Sequence, residues 1–281
     1  MRADRAGLGS WYGEILTENR LGHAPARVPT PSYRVLGTSI AAVDPARAVA
    51  HVEGMVRSRS RGTIAFCTAS TVLAARRDPD LRRALTNSSL VNPDGMPLVW
   101  LGRRAGVELD RVYGPDFMLD LFAATGSSLR HYFYGGTPGV VDALVEQLSE
   151  RFPEIQIVGS HTPEFGLTGR DVIEADVARI NAAAPDIVWI GLGHPKQELW
   201  METHVAKLDA SVLAGVGAAF DYLSGTKKEA PEWMKRSGLQ WMHRLGSEPR
   251  RLWKRYLVGN STFVALLVAE WVRTGRMAHV D

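Results

Sequence analysis

Cysteine is almost missing from this chain: Cys67 stands alone among 281 residues. A disulfide framework within the chain is therefore excluded, and a reducing compartment suits the composition. Cys67 closes the apolar run Ile64-Ala65-Phe66-Cys67, which reads as core rather than as a nucleophile. Long hydrophobic runs are missing as well. A membrane-spanning helix needs roughly 18 uninterrupted apolar residues, and the longest candidate, Phe263–Val268, is far shorter. Residues 1–31 show no secretory apolar core, because charges and glycines interrupt every apolar stretch. A large excess of one charge is also lacking. The net charge of +3 is too small to imply nucleic acid, and no recognition fold accompanies it. These absences predict a soluble chain, or one that lies on a membrane surface.

What is present is a hydrophobic share of 45%, enough for a sizeable core, on a length that suits one large domain or one domain with an appendage. Pro25, Pro29 and Pro31 mark residues 1–32 as a flexible tail. From 33 to 225, short apolar runs alternate with segments of helical period. The runs are Ile64–Cys67, the one ending at Val91, His131–Tyr134, Ile155–Val158, Ile187–Ile190 and Val212–Val216. Repeated units of this kind predict an α/β fold, a Rossmann-like and mostly parallel sheet with helices on both faces. Ligands of such sheets sit at the carboxyl ends of strands. The strand ends at 135–139, 191–193 and 215–217, together with Asp94, should therefore meet at one crevice.

The segment Pro185–Trp200 is the most telling of these. Its buried-strand run Ile187–Ile190 ends at Gly191 and Gly193, and Pro195-Lys196-Gln197-Glu198 then opens a helix. Bare backbone at a positive helix end, beside a lysine and an amide, suits a phosphate and hence a nucleotide or nucleotide-sugar. An ordinary β-to-α turn is the plainer alternative. After Gly225 the character changes. Trp233, Trp241, Trp253 and Trp271 fall there, with nine lysines and arginines between Lys227 and Arg255. Residues 226–281 read as a basic, tryptophan-rich helical appendage.

Several residues in these places can carry chemistry. Asp94, in Asn92-Pro93-Asp94-Gly95, can take a proton from a hydroxyl nucleophile, or simply cap the next helix. Asp78-Pro79-Asp80 matches a metal–diphosphate pattern weakly; between two helical segments, a turn with capping aspartates is plainer. Asp221, after Gly215-Val216-Gly217, can hydrogen-bond a base or ribose, or be a solvated loop acid. His161 and His194 lie near loops, where structural histidines are commoner than catalytic ones. The basic appendage can neutralise a diphosphate through arginine's donor fork, hold an anionic leaflet with its tryptophans at headgroup level, or be a solvated face.

Taken together, the motifs resemble the WecG/TagA/CpsF glycosyltransferases, glycosyltransferase family 26. They are Asn92-Pro93-Asp94-Gly95-Met96, Arg111-Val112-Tyr113-Gly114-Pro115-Asp116, Gly191–Glu198, Gly215–Asp221, Ala230–Met234, Gly238–Trp241, Arg244-Leu245 and Glu248–Arg251. They occur in the family's order over roughly residues 33 to 257. The resemblance implies an inverting transferase that needs no metal and no cofactor. It would move a sugar from a UDP-sugar donor to a sugar on a membrane-embedded polyprenyl diphosphate in cell-surface polysaccharide synthesis. It also implies roles. Asp94 is the general base with Thr68 near it, and Arg244 and Arg251 face the leaving diphosphate. Gln197 contacts the donor, Asp221 the uridine, and Arg111 lies near the crevice. Gly136, Gly191, Gly193 and Lys196 complete the donor side. The appendage closes over the site and favours an anionic membrane surface, on the cytoplasmic face of the cell membrane.

Two departures adjoin the sugar site. Thr68-Ala69-Ser70 stands where the family often reads Thr-Pro-Asn, and Met96-Pro97-Leu98 where it often reads Gly-Ile-Gly. They bear on the donor sugar, for which N-acetylmannosamine, its uronic acid and glucose are all represented in the family. A Rossmann oxidoreductase is the first alternative, but no G-x-G-x-x-G follows the first strand. A non-catalytic peripheral membrane module is the second. The supply of apolar and aromatic residues leaves room for a homo-oligomer.

Overall fold

The computed structural model describes residues 30–163 and 170–280, so most of the expected tail over residues 1–32 lies outside the described residues. The first described elements form an antiparallel hairpin, β1 (Ser32–Val35) and β2 (Thr38–Ala41), at the expected start of the fold near Tyr33, although the sequence patterns did not assign its strands. Helix α1 (Pro45–Arg57) follows. Asp44 accepts a hydrogen bond from the Arg47 backbone N–H at 2.8 Å and Pro45 supplies a preset φ, so the helix starts where its first donors find a partner.

The central unit then unrolls as β3 (Gly62–Cys67), α2 (Ala69–Arg77), α3 (Pro79–Asn87), β4 (Leu90–Pro93), α4 (Met96–Arg104), α5 (Gly114–Thr125) and β5 (Arg130–Gly135). It continues with α6 (Val140–Arg151), β6 (Gln156–His161), α7 (Arg170–Ala183), β7 (Ile187–Gly191), α8 (Lys196–His204), β8 (Val212–Gly215) and α9 (Ala219–Leu223). Six of these strands make one parallel sheet in the order β4-β3-β8-β7-β5-β6. Every residue of β3, β4 and β8 is buried, as strands covered on both faces must be. The Rossmann-like architecture expected from the alternating runs is the one observed.

The strand order decides where a ligand has room. The chain leaves β5 toward β6 on one side, and leaves β7 toward β8 on the other. The loops after these neighbouring strands therefore diverge, which opens a crevice at their carboxyl ends. Gly135–Gly139 and Gly191–Pro195 flank it. Gly191 is required there by packing: a Cβ at this position would meet the Phe220 ring at 2.5 Å. That contact belongs to the core, where Phe220 also lies edge-on to Phe133.

Past α9 come α10 (Glu232–Arg236), α11 (Gln240–Ser247) and α12 (Pro249–Trp253). A π-helical turn over Lys254–Val258 leads into α13 (Gly259–Thr274), and β9 (His279–Val280) ends the described chain. β9 pairs antiparallel with β1, making a second, three-stranded sheet. Phe263, Leu267 and Ala278 join the same apolar cluster as Tyr33, Ile40 and Leu98. The two ends of the described chain are thereby held on one face of the core. Among the described residues no helix is long and apolar enough to cross a membrane.

Candidate active site

A cavity of about 440 Å³ opens at the carboxyl ends of β3 and β4. Its floor is made by the first residues after each strand. Thr68 caps α2: its Oγ1 accepts from the Thr71 backbone N–H, and the Thr71 hydroxyl answers by accepting from the Thr68 N–H. Asp94 and Gly95 both donate backbone N–H to the Cys67 carbonyl, at 3.0 and 3.2 Å, which presses the β4 loop against the end of β3. Burial drives the Cys67 thiol far up, which fits a packed residue and not a nucleophile.

Asp94 is the acid of this cavity. Its side chain is 19% exposed, and Oδ1 accepts from Arg111 Nη2 at 3.1 Å. Arg111 is itself fixed on several sides. Its Nε donates to the Asp94 carbonyl, its Nη2 also donates to Gln240 Oε1, and its guanidinium carbon lies 4.4 Å from the Tyr113 ring centre. Gln240 then donates to the Tyr113 hydroxyl at 2.7 Å, closing a ring of contacts between α5's entry and α11. Burial raises the Asp94 carboxyl above the usual carboxylate range, against the opposing pull of Arg111 and, from farther off, Arg244 and Arg255. A raised carboxylate beside fixed cations is a proton acceptor poised nearer neutrality than a surface aspartate.

Thr68, Asp94, Arg111 and Arg244, which the sequence places far apart, all line this one cavity. Arg244 comes from α11, with its guanidinium carbon 6.0 Å from the Tyr222 ring centre. Arg251 does not reach the cavity. Its side chain is 61% exposed and pairs with Glu248. The cation that does arrive is Arg255, whose Nε and Nη2 both donate to the Ser70 hydroxyl, at 3.1 and 2.8 Å. Ser70, Tyr113, Gln240 and Arg255 are the members that reasoning on the sequence left without a role. Tyr113 and Gln240 lay within quoted motifs, but nothing in their spacing showed that they touch.

The remaining expected residues lie elsewhere. Gly136, Gly191 and Gly193 border the crevice after β5 and β7, and Lys196 is exposed at the start of α8. Gln197 is buried under the β8 loop rather than open to the cavity. Its Nε2 donates to the Gly215 carbonyl at 2.6 Å and to Glu198 Oε1 at 3.2 Å. Asp221 pairs with Lys227 at 2.8 Å, and Lys227 with Glu248 at 3.2 Å, so a chain of charges links α9 to the helices beyond it.

His161 pairs with the buried Asp176, and His194 with the buried Glu198. Asp78 caps α3, accepting from the backbone N–H of Asp80 and Leu81, and Asp80 pairs with Arg83 at 3.0 Å. Among the described residues no three His, Cys, Asp or Glu side chains converge as a metal site would require.

With this geometry in view, the family model of the glycosyl transferase WecG/TagA/CpsF family matches residues 33–277. The chain belongs to this family. Membership makes it a glycosyltransferase, which sets aside the oxidoreductase and the non-catalytic module. A relative from Bacillus subtilis (strain 168) is 33% identical over 186 residues, covering 66% of this chain and 70% of the relative. Another from Bacillus spizizenii (strain ATCC 23059 / NRRL B-14472 / W23) is 30% identical over 213 residues, covering 74% and 80% respectively. Both are named N-acetylglucosaminyldiphosphoundecaprenol N-acetyl-beta-D-mannosaminyltransferase. The WecG/TagA/CpsF match runs past the Glu248–Arg251 motif and through the whole of α13, so the segment from 258 to 277 is part of it.

Proposed function

We propose that this glycosyltransferase moves a sugar, N-acetylmannosamine in the first instance, from a UDP-sugar to a sugar carried on polyprenyl diphosphate, with inversion and without a metal. The observation that carries the reading is Asp94, its carboxyl raised by burial, in a cavity shared with Arg111, Arg244 and Arg255. The relatives' names support the acceptor class and the first choice of sugar.

The chemistry is a single in-line displacement. Asp94 removes the proton from the acceptor hydroxyl as its oxygen forms a bond to the anomeric carbon. The bond from that carbon to the diphosphate oxygen breaks, and its electron pair leaves with UDP. Arg244 and Arg255 offer fixed donors to the charge that develops there, an interaction of several kcal/mol. Arg111 positions Asp94, holding both its carbonyl and its carboxylate. Thr68 shapes the floor through its cap. The divergent loops after β5 and β7 receive the nucleotide, with Asp221 near its uridine end and Gln197 supporting the β8 loop beneath it.

Residues 33–225 serve as the catalytic domain in this reading, and residues 226–281 as the part that covers the site and meets the membrane. Trp233, Trp253, Leu257, Val258, Trp271 and Val272 are all exposed on that part, among lysines and arginines. Such a surface suits the inner face of an anionic membrane, where aromatic rings sit at headgroup level.

The test is a donor screen against a synthetic lipid-linked acceptor, read by mass spectrometry, with and without EDTA. We expect transfer from UDP-N-acetylmannosamine that EDTA does not abolish, and a loss of about a hundredfold or more in Asp94→Asn at unchanged fold. Near-normal turnover in that variant would remove Asp94 from the reaction. A strict divalent-cation requirement would return attention to Asp78 and Asp80, and transfer only from the uronic acid or glucose donor would correct the sugar.

A further inference from the structure

The cavity holding Asp94 measures about 440 Å³, and its two ends differ in character. The inner end carries Asp94, Arg244 and Arg255. The outer end runs between two helices and is mostly apolar, with Arg104 and Asn260 the polar side chains that those helices add to the lining. On α4, Met96 and Trp100 are one turn apart and face it; on α13, Phe263, Val264 and Leu267 follow the three- and four-residue spacing of a single helix face. The two stripes oppose each other and leave a slot.

The slot is built, and it is open. Tyr33 donates its hydroxyl to the Leu98 carbonyl at 2.9 Å, fixing α4 from beneath. Phe263 and Leu267 are 3% and 8% exposed and anchor α13 in the core, while Val264 between them is 58% exposed at the slot's rim. The Trp100 indole crosses from α4 to the loop before α11 and lies against Gly238, where a Cβ would meet its ring at 2.8 Å. Gly238 has φ +73, so a side chain there would be strained as well as obstructed. Even so, Trp100 remains 50% exposed. Half of a large ring and a bare valine at the mouth of a buried cleft leave apolar surface with no partner among the described residues.

A ligand that satisfies both ends carries an anionic head and an apolar tail on one axis. The sugar of the head reaches Asp94, Arg244 and Arg255 stay with the donor's diphosphate, and the tail leaves between α4 and α13. We propose that this slot receives the first units of the acceptor's polyprenyl chain. The enzyme then recognises the lipid itself and not only the sugar diphosphate it bears. This rests on the acceptor class proposed above. The slot is distinct from the outward-facing tryptophans and valines of the C-terminal helices. Val272, for example, is 75% exposed on the same helix but does not line the cavity.

The experiment compares two acceptors with one sugar diphosphate head, one on a long polyprenyl chain and one on a methyl stub that carries no isoprene. Both are presented in detergent micelles, so that vesicle docking plays no part. Val264→Trp fills the slot from its exposed rim, where the fold tolerates the change. We expect this variant to raise KM for the long-chain acceptor about tenfold. KM for the stub and for the donor should stay unchanged, and Val272→Trp should alter none of them. An equal effect on both acceptors, or none on either, would overturn the slot.

Calorimetry with a sugar-free polyprenyl diphosphate reads the slot without the reaction. Binding lost in Val264→Trp supports it, and binding equal to wild type overturns it. Should neither acceptor be glycosylated by the wild type, the proposed function falls while this binding result still decides the slot.

Discussion

Arg255 and Ser70 meet across most of the chain: two guanidinium N–H groups converge on one hydroxyl, 185 residues away in sequence. The Ser70 hydroxyl also lies 2.9 Å from Thr68 Oγ1, so the contact ties the π-helical turn before α13 to the cap of α2. A serine is short enough to sit under the guanidinium, and in this chain it occupies the place where the family often carries asparagine.

Removing that hydroxyl tests the tie. Hydrogen bonds to charged groups contribute about 1.5–3 kcal/mol, so Ser70→Ala should loosen residues 249–258 without unfolding the sheet. Hydrogen exchange should show faster opening of this segment and unchanged protection in β3 and β8. Turnover should fall with it, because Arg255 loses its anchor beside Asp94. Unchanged exchange over 249–258 would show that the helices hold Arg255 without Ser70.

A second prediction concerns Asp94 and its partner. Burial raises this carboxyl and Arg111 lowers it, so the acid limb of kcat/KM should lie above the ordinary aspartate value of about 3.9. Arg111→Met removes the opposing cation and should move the limb to still higher pH, leaving less of the base form at any acidic pH. The stability sign follows the same shift. A carboxyl raised by folding binds its proton more tightly in the native state, so its contribution is present at low pH and lost as pH rises through the raised value. A limb that stays in place in Arg111→Met would mean that the pH profile reports another group.

Buried histidines predict the opposite trend in stability. His131 and His204 are wholly enclosed, and burial lowers each to about 4 from the ordinary 6.5. His131 Nδ1 accepts from the Trp189 indole at 3.3 Å, which requires the neutral ring. Below about 6.5 the unfolded chain takes up protons that the folded one refuses, so stability falls from there down toward pH 4. His131→Phe, a ring that the neighbouring Phe122 and Trp189 can accept, should flatten that fall when Tm is measured against pH. An equally steep fall in the variant would assign the loss to other groups.

Much of the architecture was legible along the chain. Runs such as Ile187–Ile190 are long enough to cross a sheet and end at a glycine, and burial on both faces follows from four consecutive apolar residues. The hairpin at Ser32–Ala41 and the terminal strand at His279–Val280 were not legible. Each is short, and their pairing joins segments with no common pattern. Gln197 shows another limit. Its motif suits donor contact, yet the Gly215 carbonyl and Glu198 claim its amide, a competition that only three-dimensional neighbours reveal.

The arginines mark the boundary most clearly. Arg244 and Arg251 are seven residues apart, a spacing that puts both on one face of an unbroken helix. The chain breaks at Glu248, whose φ of −135 and ψ of 60 end α11 before Pro249 restarts it, and a π turn follows at Lys254–Val258. Each interruption resets the helical phase, turning Arg251 toward Glu248 and bringing Arg255 to Asp94's cavity. Composition and spacing, being properties of local backbone preference, determined the parallel sheet, the crevice at its carboxyl edge and the basic character of the last segment. Which cation enters the site, and which apolar face stays open beside it, depended on how separate helices pack. Tertiary structure alone decided that.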